Sequence, residues 1–122
     1  MAVIRDLEGR LPMDMITRSG RSGDEFLYMR EDALTAVKIA TEASIAVLGV
    51  ELFEPQKDGL QTLDFSVYEK DVVFAGDWNV FVASSNLCAT RWIDGHVPAA
   101  NHRYILTSTS RREWEALKTI RL

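Results

Sequence analysis

Hydrophobic and polar residues follow their most regular pattern in residues 31–54, EDALTAVKIATEASIAVLGVELFE. In the first half of this stretch apolar residues recur at helical spacing, which predicts a helix over residues 32–43. Asp32 is expected to cap this helix or to stabilise its first turn by charge. The second half is almost continuously apolar, which predicts a central strand over residues 45–53. Within that strand, Leu48 is expected to be buried.

A reversing loop and a second strand follow. Residues 55–59, PQKDG, contain the Pro, Asp and Gly typical of turns, so residues 60–69 are predicted to return as the second strand of a hairpin. Apolar and polar residues alternate along this strand, so one face is expected to be buried and the other exposed. The predicted buried residues are Leu63, Phe65 and Val67, and the exposed ones include Asp64, Tyr68 and Glu69.

A second helix is predicted over residues 78–93, where apolar residues again recur at helical spacing. Asp77 is a good N-cap for this helix, and Gly95 supplies a C-terminal stop. Residues 103–109, RYILTST, are predicted to form a third strand in the same sheet.

A last helix is predicted because Ser110 and Glu113 form the capping-box pattern. This helix would run to Ile120 and bury Trp114, Leu117 and Ile120 on one stripe. The order helix, strand, strand, helix, strand, helix predicts an α+β fold. We expect a small mixed sheet of three to four strands, covered by two to three helices.

The chain of 122 residues is the size of one ordinary domain, so residues 1–122 are assigned to a single domain. Residues 1–24 form a poorly defined N-terminal segment, in which residues 17–24, TRSGRSGD, have the composition of a flexible, solvated linker. The alternative is that Arg18 and Arg21 bind phosphate or carboxylate groups.

Composition excludes several classes of protein. Contents of 47% hydrophobic and 26% charged residues are typical of a globular chain. A net charge of −4 opposes binding to nucleic-acid backbones. The sequence has no apolar run long enough to span a membrane, and its N-terminus lacks a signal-peptide core. The single cysteine, Cys88, excludes an intramolecular disulfide, and together these features indicate a cytoplasmic protein.

Metal and catalytic chemistry find little support. Asp94, His96, His102 and Cys88 lie near one another in sequence, but both histidines are in or beside a Pro-containing loop, and no second pair of ligands has zinc-site spacing. We therefore expect no metal, no cofactor and solvent-exposed histidines. An enzyme with a loop active site around Asp94, His96 and His102 is the minor alternative.

The three tryptophans suggest different roles. Trp92 and Trp114 lie on predicted buried stripes and are expected in the core. Trp78 begins a helix directly after an acidic residue, which is the composition of an interface anchor. Packing of Trp78 into the core is the equal alternative.

Four short motifs occur in a recognisable order: EDAL at residues 31–34, IAVLGVE at 45–51, DW at 77–78 ahead of FV at 81–82, and YIL at 104–106. In this order the chain resembles a small family of bacterial immunity proteins from polymorphic-toxin systems. The resemblance covers residues 26–107 and departs from the family pattern at Val50, which replaces the second glycine of the strand motif.

The resemblance implies a non-enzymatic inhibitor that binds and neutralises a cognate toxin domain. The acidic balance is compatible with a basic nuclease as that toxin. A homo-oligomeric accessory or regulatory module, such as a homodimer, is the alternative. We predict that the toxin binds an acidic, aromatic surface made of Asp64, Tyr68, Glu69, Asp71, Asp77 and Trp78.

Overall fold

A computed structural model describes residues 5–67 and 77–121, with side chains as far as residue 116. The α+β class is confirmed. The described helices are α1 (Met13–Arg18), α2 (Arg30–Glu42), α3 (Trp78–Asp94) and α4 (Arg111–Arg121), and a 3-10 turn occupies Glu8–Arg10. The described strands are β1 (Gly20–Ser22), β2 (Glu25–Leu27), β3 (Ile45–Gln56), β4 (Gly59–Val67) and β5 (Arg103–Ser110). Among these helices none is both long and apolar enough to cross a membrane.

β3 lies at the centre of the larger sheet, as predicted, in the order β4-β3-β5. Both ladders are antiparallel, so the expectation of a mixed sheet is wrong. β4 and β5 lie on opposite sides of β3 and do not pair with each other. β1 and β2 form a separate hairpin. Backbone hydrogen bonds of 2.7 and 2.8 Å between Tyr28 and Tyr104 join this hairpin to β5. α2 and α3 pack against one face of the larger sheet and form the main core with it.

A β-bulge in β3 decides which residues reach the core. Val47 pairs with Ser108 of β5 and Gly49 pairs with Thr107, so Leu48 is an extra residue without a partner in this ladder. The inward and outward alternation therefore changes phase at Leu48. Leu48 itself is only half-buried and packs against a smaller cluster, which corrects the expectation that it is buried. The main core receives Ile45, Val47, Val50 and Leu52 from this strand.

The described residues of β4 pair with β3 from Gly49 onward, and side chains of α3 contact the backbone of β3 ahead of that point. Asn86 is buried, and its Oδ1 accepts the Val47 N–H at 2.7 Å. The Nδ2 group of Asn86 donates to the Ile45 carbonyl at 2.9 Å, and the Ser85 hydroxyl donates to the Val47 carbonyl. The helix thus supplies hydrogen bonds that a neighbouring strand would otherwise make.

The predicted caps of α3 and α4 are confirmed. The Asp77 carboxylate accepts two N–H groups in the first turn of α3. In the capping box of α4, Ser110 Oγ accepts the Glu113 N–H at 3.1 Å, and Glu113 Oε1 accepts the Ser110 N–H at 2.9 Å. Leu117 and Ile120, predicted on the buried stripe of α4, lie outside the residues whose side chains are described.

α2 lacks a side-chain N-cap, and Asp32 lies in its first turn. Asp32 is buried, and its carboxylate accepts two hydrogen bonds of 2.7 Å from Arg18 of α1. This bidentate pair compensates the buried charge.

Because residues 17–24 belong to α1 and to the β1-β2 hairpin, the linker prediction is wrong. Carboxylate binding by Arg18 is confirmed, and the Arg21 guanidinium lies 4.5 Å from the centroid of the Phe26 ring.

Charged residues tie the N-terminal segment to the far end of the chain. Arg5 Nε lies 2.8 Å from Glu113 Oε2, and Asp6 accepts hydrogen bonds from Ser110 and Arg112. Sequence patterns predicted no element here because Asp6 and its partner Ser110 lie 104 positions apart. The segment also contributes buried apolar residues to the main core, namely Leu7, Leu11 and Met15.

Replacing Asn86 by Ala should destabilise the protein, because the Val47 N–H and the Ile45 carbonyl would lose their partner in a buried site. The expected loss is about 2 to 5 kcal/mol in the free energy of unfolding, measured by denaturant titration. Asn86→Asp should also destabilise, since a carboxylate cannot donate to the carbonyl. Ser84→Ala, on the exposed face of the same helix, is the control. An Asn86→Ala variant as stable as the control would contradict this role.

Asp6 should make the protein sensitive to acid. Hydrogen bonds from Ser110 and then from Arg112 lower the pKa of Asp6 below its ordinary value of 3.8. A carboxyl whose pKa is lowered by folding stabilises the folded state above about pH 4, and this stability is lost as the pH falls through the lowered pKa. In acid unfolding followed by circular dichroism, Asp6→Asn should weaken the pH dependence in this range. The exposed Asp24→Asn change should leave it as in the parent protein, and equal curves for both variants would argue against the role of Asp6.

Candidate protein-interaction surface

A second β-bulge, in β4, decides which face of that strand is exposed. The two-residue turn between Gln56 and Gly59 sets a register that would place Phe65 opposite Val50, whose side chain is in the core. Leu63 is unpaired, however, because Phe53 pairs with Thr62 while Leu52 pairs with Asp64. The extra residue shifts the register by one position. As a result, Phe65 lies opposite Glu51.

The predicted burial of β4 is therefore wrong. Phe65 is 65% exposed, Val67 is 45% exposed and Leu63 is 40% exposed. Phe65 and Val67 lie on the face of the sheet opposite to α2 and α3, because Glu51 and Gly49, their partners in β3, alternate with the core residues of that strand. We call this side of the sheet the open face. A small buried cluster of Leu27, Phe53 and Ile105 also lies on this side of the sheet.

The outer edge of β4 faces no other strand in the part of the chain that the structure describes. A Cβ atom on Gly49 would lie 3.0 Å from the Ser66 carbonyl oxygen, so this carbonyl points towards β3. Backbone groups of alternate residues point to the same side of an antiparallel strand. Those of Phe65 and Val67 therefore point away from β3. In agreement, the Phe65 N–H donates to the side chain of Asp64 at 2.9 Å.

Asp64 also connects β4 to the end of α3. Its Oδ2 lies 3.0 Å from Nε2 of His96, whose Nδ1 lies 2.7 Å from the Trp92 carbonyl oxygen. Both ring nitrogens thus face acceptors, and both hydrogen bonds form together only when the imidazole is doubly protonated. His96 and then the Phe65 N–H lower the pKa of Asp64. Since His96 and His102 are half-buried, the expectation of solvent-exposed histidines is wrong.

Of the predicted contact residues that the structure describes, Asp64 and Asp77 do not lie together. Asp77 lies at the start of α3, whereas Asp64 touches His96 just beyond its end. A helix of 17 residues is roughly 25 Å long, so these two acids are far apart. Tyr68, Glu69 and Asp71 lie outside the described residues.

Trp78 is only 5% exposed, so it belongs to the core and not to a contact surface. Its Nε1 donates to the Ser44 carbonyl at 2.7 Å, and its ring packs 5.4 Å from that of Phe81, measured between centroids. Trp92 and Trp114 are half-buried and pack against core clusters.

The residues of the alternative loop active site also have separate partners. Asp94 lies 3.4 Å from Arg30, and His96 binds Asp64. His102 lines a cleft of about 520 Å³ beside the start of α2, a cleft that neither Asp94 nor His96 lines. Within residues 5–67 and 77–121, no group of three or more His, Cys, Asp or Glu side chains is placed to hold a metal ion.

The exposed row on β4 was missed because a bulge has no reliable signature in one sequence. The available signal was Glu51, a charged residue that interrupts the apolar run of β3. The residue opposite Glu51 on the adjacent strand lies on the same open face, and because of the bulge that residue is Phe65.

Comparison with known proteins gives no relative: no protein-family model, no curated protein and no solved structure matches this chain. The resemblance to immunity proteins therefore stays a prediction.

Removing the imidazole in His96→Ala should raise the pKa of Asp64 towards 3.8, because the His96 hydrogen bond is the largest cause of its lowered pKa. The carboxyl carbon of Asp64 can be followed by NMR through an acid titration. The same titration of His102→Ala should match the parent protein. An Asp64 pKa that is equally low without His96 would show that the pair does not form in solution.

Proposed function

We propose that this protein acts by binding another protein, as an immunity protein that neutralises a cognate bacterial toxin domain without catalysis. The observation that carries the proposal is the exposed phenyl ring of Phe65, placed beside Val67 on the open face. Large aromatic side chains that lose water on binding contribute most to protein interfaces. An exposed apolar row of this kind is typical of an interaction site.

Charge supports a basic partner. Glu51 lies directly opposite Phe65 on the open face, whereas Asp64 pairs with the core residue Leu52 and lies on the other face. The whole chain carries a net charge of −4, so a basic toxin domain, such as a nuclease, would be steered towards this protein at low ionic strength. The proposed contact surface is accordingly revised: Phe65 takes the role first given to Trp78, and Glu51 takes the acidic role first given to Asp64, whose carboxylate binds His96. Tyr68, Glu69 and Asp71 follow β4 in sequence and stay predicted contacts.

The proposal includes the cytoplasmic location indicated by the sequence and requires no cofactor. The order of the EDAL, IAVLGVE, DW and YIL motifs supports the immunity role over other binding roles. Two of these motifs belong to β3 and β5 of the larger sheet, and the other two belong to α2 and α3, the helices that pack against it.

The test is co-expression with the product of the adjacent gene, followed by co-purification and a growth-rescue assay. The protein should co-purify with that product and restore growth when the product is toxic. Phe65→Ala should weaken the complex by about 2 kcal/mol, roughly thirtyfold in dissociation constant. Glu51→Lys should slow association most strongly at low salt.

Matched controls lie on the helices. Leu87→Ala removes a similarly exposed apolar side chain on α3, and Glu42→Lys reverses an exposed charge at the end of α2. Both controls should bind and rescue like the parent protein. Failure of the parent protein to bind and to rescue would remove the immunity proposal for that gene pair. Rescue that survives both Phe65→Ala and Glu51→Lys would refute the surface while keeping the function.

A further inference from the structure

We infer that β4 pairs antiparallel with β4 of a second copy of this chain, so that two three-stranded sheets join into one six-stranded sheet. This inference does not rest on the proposed function. It concerns the edge of the strand, whereas the proposed partner binds the open face.

The edge of β4 has few of the features that prevent strand pairing. Natural edge strands are commonly protected by Lys, Pro, β-bulges or inward-pointing charges, and of these features β4 has the bulge at Leu63. β4 has the sequence GLQTLDFSV, with nine residues, no Lys, no Arg and no Pro. Its single charge, on Asp64, is paired with His96. The other edge strand differs, because Tyr28 pairs with Tyr104 and covers part of the edge of β5.

The strand is complementary to itself in one register. If the two-fold axis passes between the two copies of Phe65, Leu63 lies opposite Val67 of the other copy, and the apolar side chains meet across the interface. In the same register Asp64 lies opposite Ser66, so a carboxylate faces a hydroxyl instead of a second carboxylate. A register centred on Asp64 would oppose two like charges. Charge therefore favours the pairing that also matches the apolar residues.

This pairing also satisfies the backbone hydrogen-bonding groups at the edge of β4. The N–H and carbonyl groups of Phe65 point away from β3, so the two Phe65 residues can exchange two hydrogen bonds. The Phe65 N–H leaves Asp64 Oδ1 and gains a carbonyl of the other copy. Asp64 Oδ1 in turn accepts from the Ser66 hydroxyl of that copy. Both Phe65 rings then lie side by side on the open face, which leaves that face available to a different protein.

The test is the oligomeric state of the purified chain across the micromolar range, by sedimentation velocity. The mass should rise from that of the 13.8 kDa monomer towards the dimer as concentration increases. Phe65→Lys places a positive charge on each copy at the two-fold axis, so this variant should be monomeric at every concentration. Leu87→Lys, an equal change at an exposed position of α3, should dimerise like the parent protein. Thermal melts check that both variants are folded.

Amide hydrogen exchange distinguishes strand pairing from other contacts. Exchange of the Phe65 and Val67 N–H groups should slow as concentration rises, while exchange of exposed amides in the Lys57 turn should not change. A monomer at all concentrations would overturn the inference. So would a dimer with unprotected β4 amides, or a dimer that persists in Phe65→Lys.

Discussion

The fold depends on satisfying the backbone of β3 on both edges along its whole length. β5 pairs with one edge from Ile45 onward, but the described residues of β4 pair with the other only from Gly49. Asn86 and Ser85 of α3 close the gap with their side chains. An unpaired backbone group buried in the core would be costly, so these contacts set the position of α3 along the strand.

The two bulges then determine the two faces of the sheet. The bulge at Leu48 moves the inward positions of β3 from odd to even residue numbers, which keeps apolar residues under α2 and α3. The bulge at Leu63 instead moves apolar residues of β4 out of the core, because it places Phe65 and Val67 on the open face. A one-residue shift is sufficient for this, since side chains alternate with a period of two. The exposed apolar row is thus a consequence of register and not of composition.

Ion pairs join segments that are remote in sequence. Arg18 and Asp32 connect α1 to α2, and the contacts of Asp6 connect the N-terminal segment to the start of α4. The first of these pairs contains a buried carboxylate with two short hydrogen bonds, so losing its partner would leave a buried charge uncompensated. In the pair of Asp64 and His96 the carboxylate is exposed, so this pair contributes less to stability. Its position beside the free edge of β4 gives it a local role at the proposed interface.

The sequence by itself determined the elements whose signals are local. Helical spacing in α2 and α3, the Asp77 cap and the capping box of Ser110 and Glu113 depend on residues a few positions apart, and the apolar run of β3 identified the central strand. Tertiary structure alone decided the bulges, the burial of Trp78 and the ordered contacts of the N-terminal segment. Each of these depends on groups distant in the chain, and strand register fixes a side chain's face only after both partner strands are in place.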